Sequence, residues 1–396
     1  MLFRSYFWLL FFLNFSVWTI SGVTIAHVYF FIILAVFLER CSQMNHIYRP
    51  LLVSAVWIVY EYIKSIGFLG FPYGLAAYPV NMVLPLIQTA DILGIWGIGY
   101  LVVLINALLG EMIMGALPSR SRCPGCADTL PRAGQPQLAS QWAAALLLVT
   151  ASLVYGFSAL SRDIPVVKHA VIAVVQQNTD SWTSGNDMNG LLVSQRLTRE
   201  AIAERNGDVD LVAWSENTFR RPYIDAQRQF NRDPKEDPFS PFLREIGKPV
   251  LAGSPVFRNR ELREAYNAVI LIDKTGKPVE FYAKQHPVPI AERIPFRNGL
   301  VEKFFTTVVG LETSGWTPGE GFTVFTIPIA RRSGSGNDGE QGNAPDGEPG
   351  RESTQTLTFG TPICFEDSFA YICSGFFREG AEILINLTND SWSKTV

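Results

Sequence analysis

At 396 residues the chain is longer than one average domain needs, and its apolar runs are unevenly spread, most of the long ones lying before residue 161. A formal net charge of −3 without a long basic run excludes the electrostatic footprint of a nucleic-acid binder. The five cysteines, Cys41, Cys123, Cys126, Cys364 and Cys373, are odd in number and lack the spacing of a disulfide framework, so they neither require nor exclude an oxidising compartment.

A helix that crosses the hydrocarbon core needs roughly 20 mainly apolar residues, and five stretches come close: 2–20, 22–38, 51–69, 86–114 and 142–160. They read as five spans of an integral membrane domain over residues 1–160. The first has a second reading as a signal peptide, because Arg4 precedes the apolar run and Ser21-Gly22 offers small residues. The spans that follow at once favour a retained helix. Basic residues of short loops gather on the cytoplasmic side. With the N-terminus inside, Arg4, Arg40, Arg49, Arg120, Arg122 and Arg132 are cytoplasmic and only Lys64 falls near the outer face. The chain after residue 160 then emerges outside the inner membrane, in the periplasm where there is an outer membrane. Glu61 and Lys64, toward the end of the third span, are expected to snorkel as a pair, with a role in substrate entry as the alternative. Cys123-Pro-Gly-Cys126 looks like half a zinc knuckle, but no second pair and no histidine lies near it in sequence, so no metal site is expected.

From Val166 onward short apolar runs alternate with helical patterns, which predicts an α/β domain over residues 161–396. Strands are expected at 169–176, 211–214, 249–253, 268–272, 322–327, 356–363 and 382–386, and helices at 191–205 and 239–245. Residues 331–352 are dominated by Gly, Ser, Asn, Asp, Glu and Pro; with little apolar surface to offset the entropy of ordering, they read as a disordered insertion between two strands.

Cys364 follows an apolar run ending Thr-Pro-Ile and precedes Phe365-Glu366-Asp367, a strand end from which a side chain can face a cleft. A working thiol nucleophile needs a base or a nearby cation, because an unperturbed thiol, with a pKa near roughly 8.5, is mostly protonated at neutral pH. Glu366 and Asp367 are local candidates for that base; a buried structural cysteine is the alternative. Glu216 follows the strand-like Leu211-Val212-Ala213-Trp214 and Ser215, where desolvation beside a tryptophan raises a carboxyl toward the range of general acid–base work. Lys284, in Phe281-Tyr282-Ala283-Lys284-Gln285-His286, can place a cation beside a developing oxyanion. Alone, Glu216 and Lys284 are equally ordinary solvated residues.

Together they carry a resemblance. Val212-Ala213-Trp214-Ser215-Glu216, then Tyr282-Ala283-Lys284-Gln285-His286-Pro287-Val288-Pro289, then Ile363-Cys364-Phe365-Glu366 resemble, in this order, the three catalytic strings of the nitrilase, or carbon–nitrogen hydrolase, superfamily. Leu387-Thr388-Asn389-Asp390-Ser391-Trp392 is similar to the segment beyond that family's nucleophile, and residues 171–178 to its first strand. In the first half, Phe71-Pro72-Tyr73-Gly74, Leu86-Ile87-Gln88 and the run from Ile95-Trp96-Gly97 to Asn106 resemble the membrane domain of the apolipoprotein N-acyltransferase branch. The likeness runs from about residue 53 to residue 392, with 331–352 as a gap.

The resemblance implies an N-terminal α-helical transmembrane bundle followed by an αββα sandwich. Glu216 would be the general base, Lys284 the oxyanion cation and Cys364 the nucleophile. Cys364 would take an acyl group from a membrane phospholipid as a thioester and pass it to the N-terminal amine of a diacylglyceryl-cysteine apolipoprotein. Glu292 and Glu366 match supporting carboxylates of the family. Phe365 stands where the family often has Tyr, and Trp182 matches an aromatic near the acyl pocket, with a core or lipid-facing tryptophan as the alternative. Neither metal nor organic cofactor is implied. Family members continue beyond the Asn-Asp-Ser-Trp segment and typically have seven spans before the catalytic part, so the sandwich is expected to be incomplete at its C-terminal end. An inactive remnant and a membrane-tethered amidase or nitrilase are the alternatives to an active N-acyltransferase.

Overall fold

The computed structural model of the chain describes residues 17–44, 47–116, 136–179, 186–232, 237–262, 264–289, 292–293, 315–332, 355–389 and 391. These fall into two compact units that divide at Ile164 and Pro165. Most of the first expected span, the Cys123/Cys126 pair, Trp182 and residues 333–352 lie outside the described residues.

The first unit is helical: α1 (Val17–Ser42), α2 (Arg49–Lys64), the short α3 (Leu84–Ile87), α4 (Ala90–Ala116) and α5 (Pro136–Leu160). α2 packs against both α1 and α4. Leu104 and Leu108 of α4 meet Ala145 of α5, with Tyr100 and Trp142 closing the cluster. Among the described residues, Ala90–Met114 and Ala139–Leu160 are long and apolar enough to cross a membrane. The third expected span stops short. α2 has 16 residues, about 24 Å at 1.5 Å per residue, where the hydrocarbon core is about 30 Å thick. The chain leaves the helix at Ser65 and turns through Gly67, whose φ is 76°. The fourth is not one straight helix either, because α3 ends at Ile87 and Gly94 inside α4 has φ 63°.

That turn corrects the reading of Glu61 and Lys64 as a snorkelling pair. Both are buried, at 2% and 6% exposure. The non-helical segment after α2 supplies partners that water would otherwise provide: Glu61 accepts a hydrogen bond from the Ala76 amide at 2.8 Å and Lys64 Nζ donates to the Tyr73 carbonyl at 2.9 Å, while Trp57 Nε1, one turn back in α2 itself, donates to Glu61 at 2.9 Å. A second buried charge pair joins the start of α2 to α4. Arg49 Nη1 donates to both Glu111 carboxylate oxygens at 3.1 and 3.3 Å, and Nη2 to the Met44 carbonyl.

The second unit holds two sheets. The first runs β1 (Ile172–Val175), β2 (Leu211–Trp214), β3 (Val250–Asn259), β4 (Glu264–Ile272), β5 (Pro278–Ala283) in that spatial order, parallel from β1 to β3 and antiparallel from β3 to β5. Its β1–β2–β3 connections carry α6 (Asn186–Glu204), α7 (Tyr223–Arg232) and α8 (Ser240–Ile246). Val212, Trp214, Val250, Ala252 and Ile270 pack on Phe239, Phe242 and Leu243 around α8. The alternate residues Leu211, Ala213, Leu251, Val269 and Leu271 point the other way, by the two-residue period of a strand, and are buried too. Burial on both faces explains the unbroken apolar runs.

The second sheet is β6 (Phe325–Ile329), β7 (Gln355–Gly360) and β8 (Ile383–Leu384), with β6–β7 antiparallel and β7–β8 parallel. Helix α9 (Ala370–Arg378) sets Phe376 against Gly360, where a Cβ would overlap the ring. Asp210, just before β2, accepts hydrogen bonds from Val171 at 2.8 Å and Ala330 at 3.0 Å and pairs with Arg332, so it ties the two sheets at one end. The α/β expectation is met, with differences in length. β3 and β4 form a longer hairpin than their apolar segments suggest, because its outer turns are polar. α7 and α9 were not foreseen, β5 occupies the strand-like run just before Lys284, and β7 ends at Gly360 rather than at residue 363.

Candidate active site

The site forms where strands end. β2 stops at Trp214, whose Nε1 donates to Thr198 Oγ1 at 2.9 Å and fixes the strand on α6. Ser215 and Glu216 then turn out of the sheet. Gly253 on β3 makes room for that turn: a Cβ there would stand 2.8 Å from Glu216 Cα. Asn217 completes the turn with φ 55°. Left-handed backbone recurs at Asn178 after β1 (φ 47°) and at Cys364 after β7 (φ 53°), which is where strained residues collect at functional sites.

Lys284 directly follows β5 and is held by its main chain on both sides: its N–H donates to the Asn267 carbonyl and its carbonyl accepts from Gly319, each at 2.8 Å. Its Nζ is 1% exposed at the side chain and reaches Glu216 Oε1 at 3.3 Å and Glu292 Oε1 at 3.1 Å. Asn267 on β4, also buried, donates through Nδ2 to the same two oxygens, at 2.8 and 3.1 Å. The second oxygen of Glu292 accepts the Val288 amide at 2.7 Å. Lys284, Glu216, Glu292 and Asn267 therefore form one closed hydrogen-bonded cluster.

Cys364 opens a short turn of 3-10 helix, Cys364–Ser368. Ile363 before it pairs in parallel with Leu387, and the Cys364 N–H donates to the Leu387 carbonyl at 2.9 Å. Of the two local carboxylates offered as bases, neither is free for the thiol. Glu366 takes the amides of Gln285 (2.7 Å), His286 (3.0 Å) and Ile363 (2.9 Å) and the Tyr282 hydroxyl (3.1 Å). Asp367 accepts the Asn386 amide at 2.7 Å on the exposed side of the turn. Glu366 instead couples the Lys284 strand end to the Cys364 turn.

Burial raises the Glu216 carboxyl above the usual range; Lys284 and Asn267 oppose the rise and the charge of Glu292 adds to it. Burial alone would lower the Lys284 ammonium, but the carboxylates of Glu216 and Glu292 outweigh it and hold the group well above an ordinary lysine. Burial and then Glu216 push the Cys364 thiol up to about 12, with Lys284 and a hydrogen bond from Thr388 pulling the other way. Glu366 is lifted to about 7 by burial, against Lys284 and its amide donors. One cation thus serves a buried and a partly buried carboxylate beside a thiol, an arrangement that can move a proton and stabilise a new negative charge.

The profile of the carbon–nitrogen hydrolase family matches residues 171–395 and that of the apolipoprotein N-acyltransferase N-terminal domain matches residues 1–108. The chain is 35% identical, over 99% of its length, to 69% of apolipoprotein N-acyltransferase 2 of Treponema denticola. It is 30% identical, again over 99% of its length, to 68% of the protein of that name in Treponema pallidum. The chain belongs to the apolipoprotein N-acyltransferase family. The apolipoprotein N-acyltransferase of Borreliella burgdorferi is 28% identical, with 98% of this chain and 66% of that one covered. Among solved structures, a carbon–nitrogen hydrolase from Helicobacter pylori shares 18% identity over 55% of this chain and 59% of that one, with a TM-score of 0.32. An amidase from Nesterenkonia shares 15% over 58% and 68%, with a TM-score of 0.33.

In this apolipoprotein N-acyltransferase family member, sequence reasoning singled out Glu216, Lys284, Glu292 and Glu366, and the structure brings the first three into direct contact and places Glu366 behind them. Cys364 lies within electrostatic reach of Glu216, Lys284 and Glu292. Asn267 was missed. Its only signal is a polar residue at the head of the apolar run Ala268–Ile272, which no local pattern distinguishes from a strand edge.

Proposed function

We propose that this chain is a phospholipid-dependent apolipoprotein N-acyltransferase in which Cys364 carries the acyl group as a thioester. The observation that carries the reading is the buried cluster of one cation and two carboxylates beside a thiol, within a member of this acyltransferase family.

In the first half-reaction the Glu216 carboxylate takes the thiol proton as Sγ bonds to the ester carbonyl carbon of the phospholipid. Lys284 donates to the resulting oxyanion, a contact realised only in the transition state. The carbon–oxygen bond to the glycerol breaks, the leaving oxygen takes the proton back from Glu216, and a lysophospholipid departs. In the second, the α-amine of a diacylglyceryl-cysteine attacks the thioester and gives a proton to Glu216. The carbon–sulfur bond breaks, the thiolate is reprotonated, and the N-acylated lipoprotein leaves. Glu292 and Asn267 act by holding Lys284 and Glu216 at the right separation. No step calls for a cofactor.

Donor and acceptor are both bilayer molecules, so membrane attachment supplies proximity. We read the helical part as a multi-pass bundle of about five spans in a bacterial inner membrane, with the N-terminus inside and the catalytic domain, residues 161–396, on the periplasmic side. The excess of basic residues in the loops of one side supports that orientation.

The test is to incubate membranes holding the chain with a phospholipid bearing a tagged acyl group. Label released by hydroxylamine should sit on Cys364, move to a diacylated lipopeptide, and vanish in Cys364→Ser. Absence of a thioester on a folded, inserted chain would remove the proposal.

A further inference from the structure

Every polar group of Cys364 is engaged by one tripeptide. After β8, Asn386-Leu387-Thr388 runs beside Ile363-Cys364. The Leu387 carbonyl accepts the Cys364 N–H at 2.9 Å, Asn386 Nδ2 donates to the Cys364 carbonyl at 3.1 Å, and the Thr388 side chain hydrogen-bonds the thiol. A left-handed φ at a residue bearing a Cβ persists only where the surroundings over-determine it, and this segment is what does so. Asn386 reaches further: the same Nδ2 donates to Asp367 Oδ2 at 2.7 Å, so one amide spans both ends of the turn that carries the nucleophile. Its own Oδ1 is buried without a hydrogen-bond partner. Such an orphan acceptor costs stability, and the fixed geometry of Cys364 is what it is kept for.

Thr388 differs in kind. The charged groups around the sulfur are Glu216, Glu292 and Lys284: the two carboxylates, with burial, disfavour the thiolate, and Lys284 favours it. Thr388 is the neutral group that also favours it, and a hydroxyl can follow the sulfur through both half-reactions, donating when it is anionic and releasing it when it is acylated.

We infer that Asn386 and Thr388 set the nucleophile, Asn386 as a positioning residue that fixes the Cys364 main chain and Thr388 as a hydroxyl donor to the sulfur as its proton leaves. The inference rests on Cys364 being the acylated residue.

The experiment uses the full chain in membranes and two readouts. The first is alkylation of the Cys364 thiol by iodoacetamide, followed by mass spectrometry of its peptide from pH 7 to 10. Thr388→Val and Thr388→Ala should both slow alkylation about tenfold across this range, the factor expected for a lost hydrogen bond to a charged group, and Thr388→Ser should restore it. Wild-type alkylation in a folded Thr388→Val chain overturns that part. The second readout is thioester formation: Asn386→Ala should lower kcat about tenfold with KM unchanged, while alkylation stays within about twofold. An unchanged kcat, or a loss seen only in KM, overturns the positioning role. Alkylation involves no lipid. A wild-type chain that forms no thioester, yet whose thiol responds to Thr388→Val, therefore refutes the acyl-transfer reading and leaves the hydroxyl donor in place.

Discussion

Among the described residues, charge is buried in both units of the chain and handled differently in each. In the helical unit Arg49 pairs with Glu111, and Glu61 and Lys64 pass their charges to an indole and to main-chain groups of the next turn. In the carbon–nitrogen hydrolase unit one cation, Lys284, faces both Glu216 and Glu292. A matched pair is a structural joint, stable while both partners remain. An unmatched cluster has a carboxylate to spare for a proton, and that is what a general base beside a thiol requires.

The comparison can be broken in several ways. Glu216→Gln removes the carboxylate that the cluster can lose, so acyl transfer should fall about 10³-fold, or ~4 kcal/mol, with no loss of thermal stability. A drop in melting temperature of the size seen for a broken pair would erase the distinction. Arg49→Met leaves Glu111 buried without its cation and should destabilise the helical unit by ~3–5 kcal/mol. Thioester formation per folded molecule should be unchanged, and adding Glu111→Met should recover most of the stability. Denaturation in detergent measures both; equal stability of the single and double variants counts against the pair as a joint.

Gly253→Ala tests geometry without touching charge. The added Cβ meets the Glu216 turn, and the displaced base should cost about 10²-fold in rate, ~2.7 kcal/mol. A rate near wild type would show that the turn relaxes freely. The most gradual response is that of Glu366, spread over a range of pH. Its folded value of about 7 lies above the ordinary 4.5, so folding takes up a proton. The stability this gives is fully present below 4.5 and lost as pH rises through about 7. Melting curves should decline over that window with a slope of at most about 1.4 kcal/mol per pH unit. The slope should be absent in Glu366→Gln. Activity has its own limb: Glu216 must be ionised to accept the thiol proton, and its raised carboxyl should place the acid limb of the rate above the usual carboxylate range.

What the sequence made legible follows the same division. β2 was read with its bounds because Leu211 to Trp214 are buried on both faces, and burial on both faces is a pattern four residues can carry. Glu216, Lys284 and Cys364 were legible only through their strings, since a carboxylate at a strand end has no local mark of burial. Asn267 and the Asn386–Thr388 grip were not legible: each acts on a residue far away in sequence, and the side chain that makes the contact looks like any polar residue. α7 was missed because Tyr-Ile-Asp-Ala-Gln-Arg-Gln-Phe-Asn-Arg is short and polar on average, so its apolar stripe rests on too few residues to stand out. The third membrane span was overdrawn because hydropathy cannot see that Gly67 turns the chain away while the residues are still apolar.

The three left-handed residues at strand ends bear on how this site can drift in sequence. Asparagine, aspartate and glycine share access to that backbone, whereas β-branched residues do not. Asn178 and Asn217 are therefore free to exchange within a small alphabet, and a lineage can sample those exchanges without redrawing the cleft. Cys364 has no such alphabet, because its thiol and its backbone are both committed. Substitutions near the nucleophile are thus filtered twice, and those at the two asparagines only once.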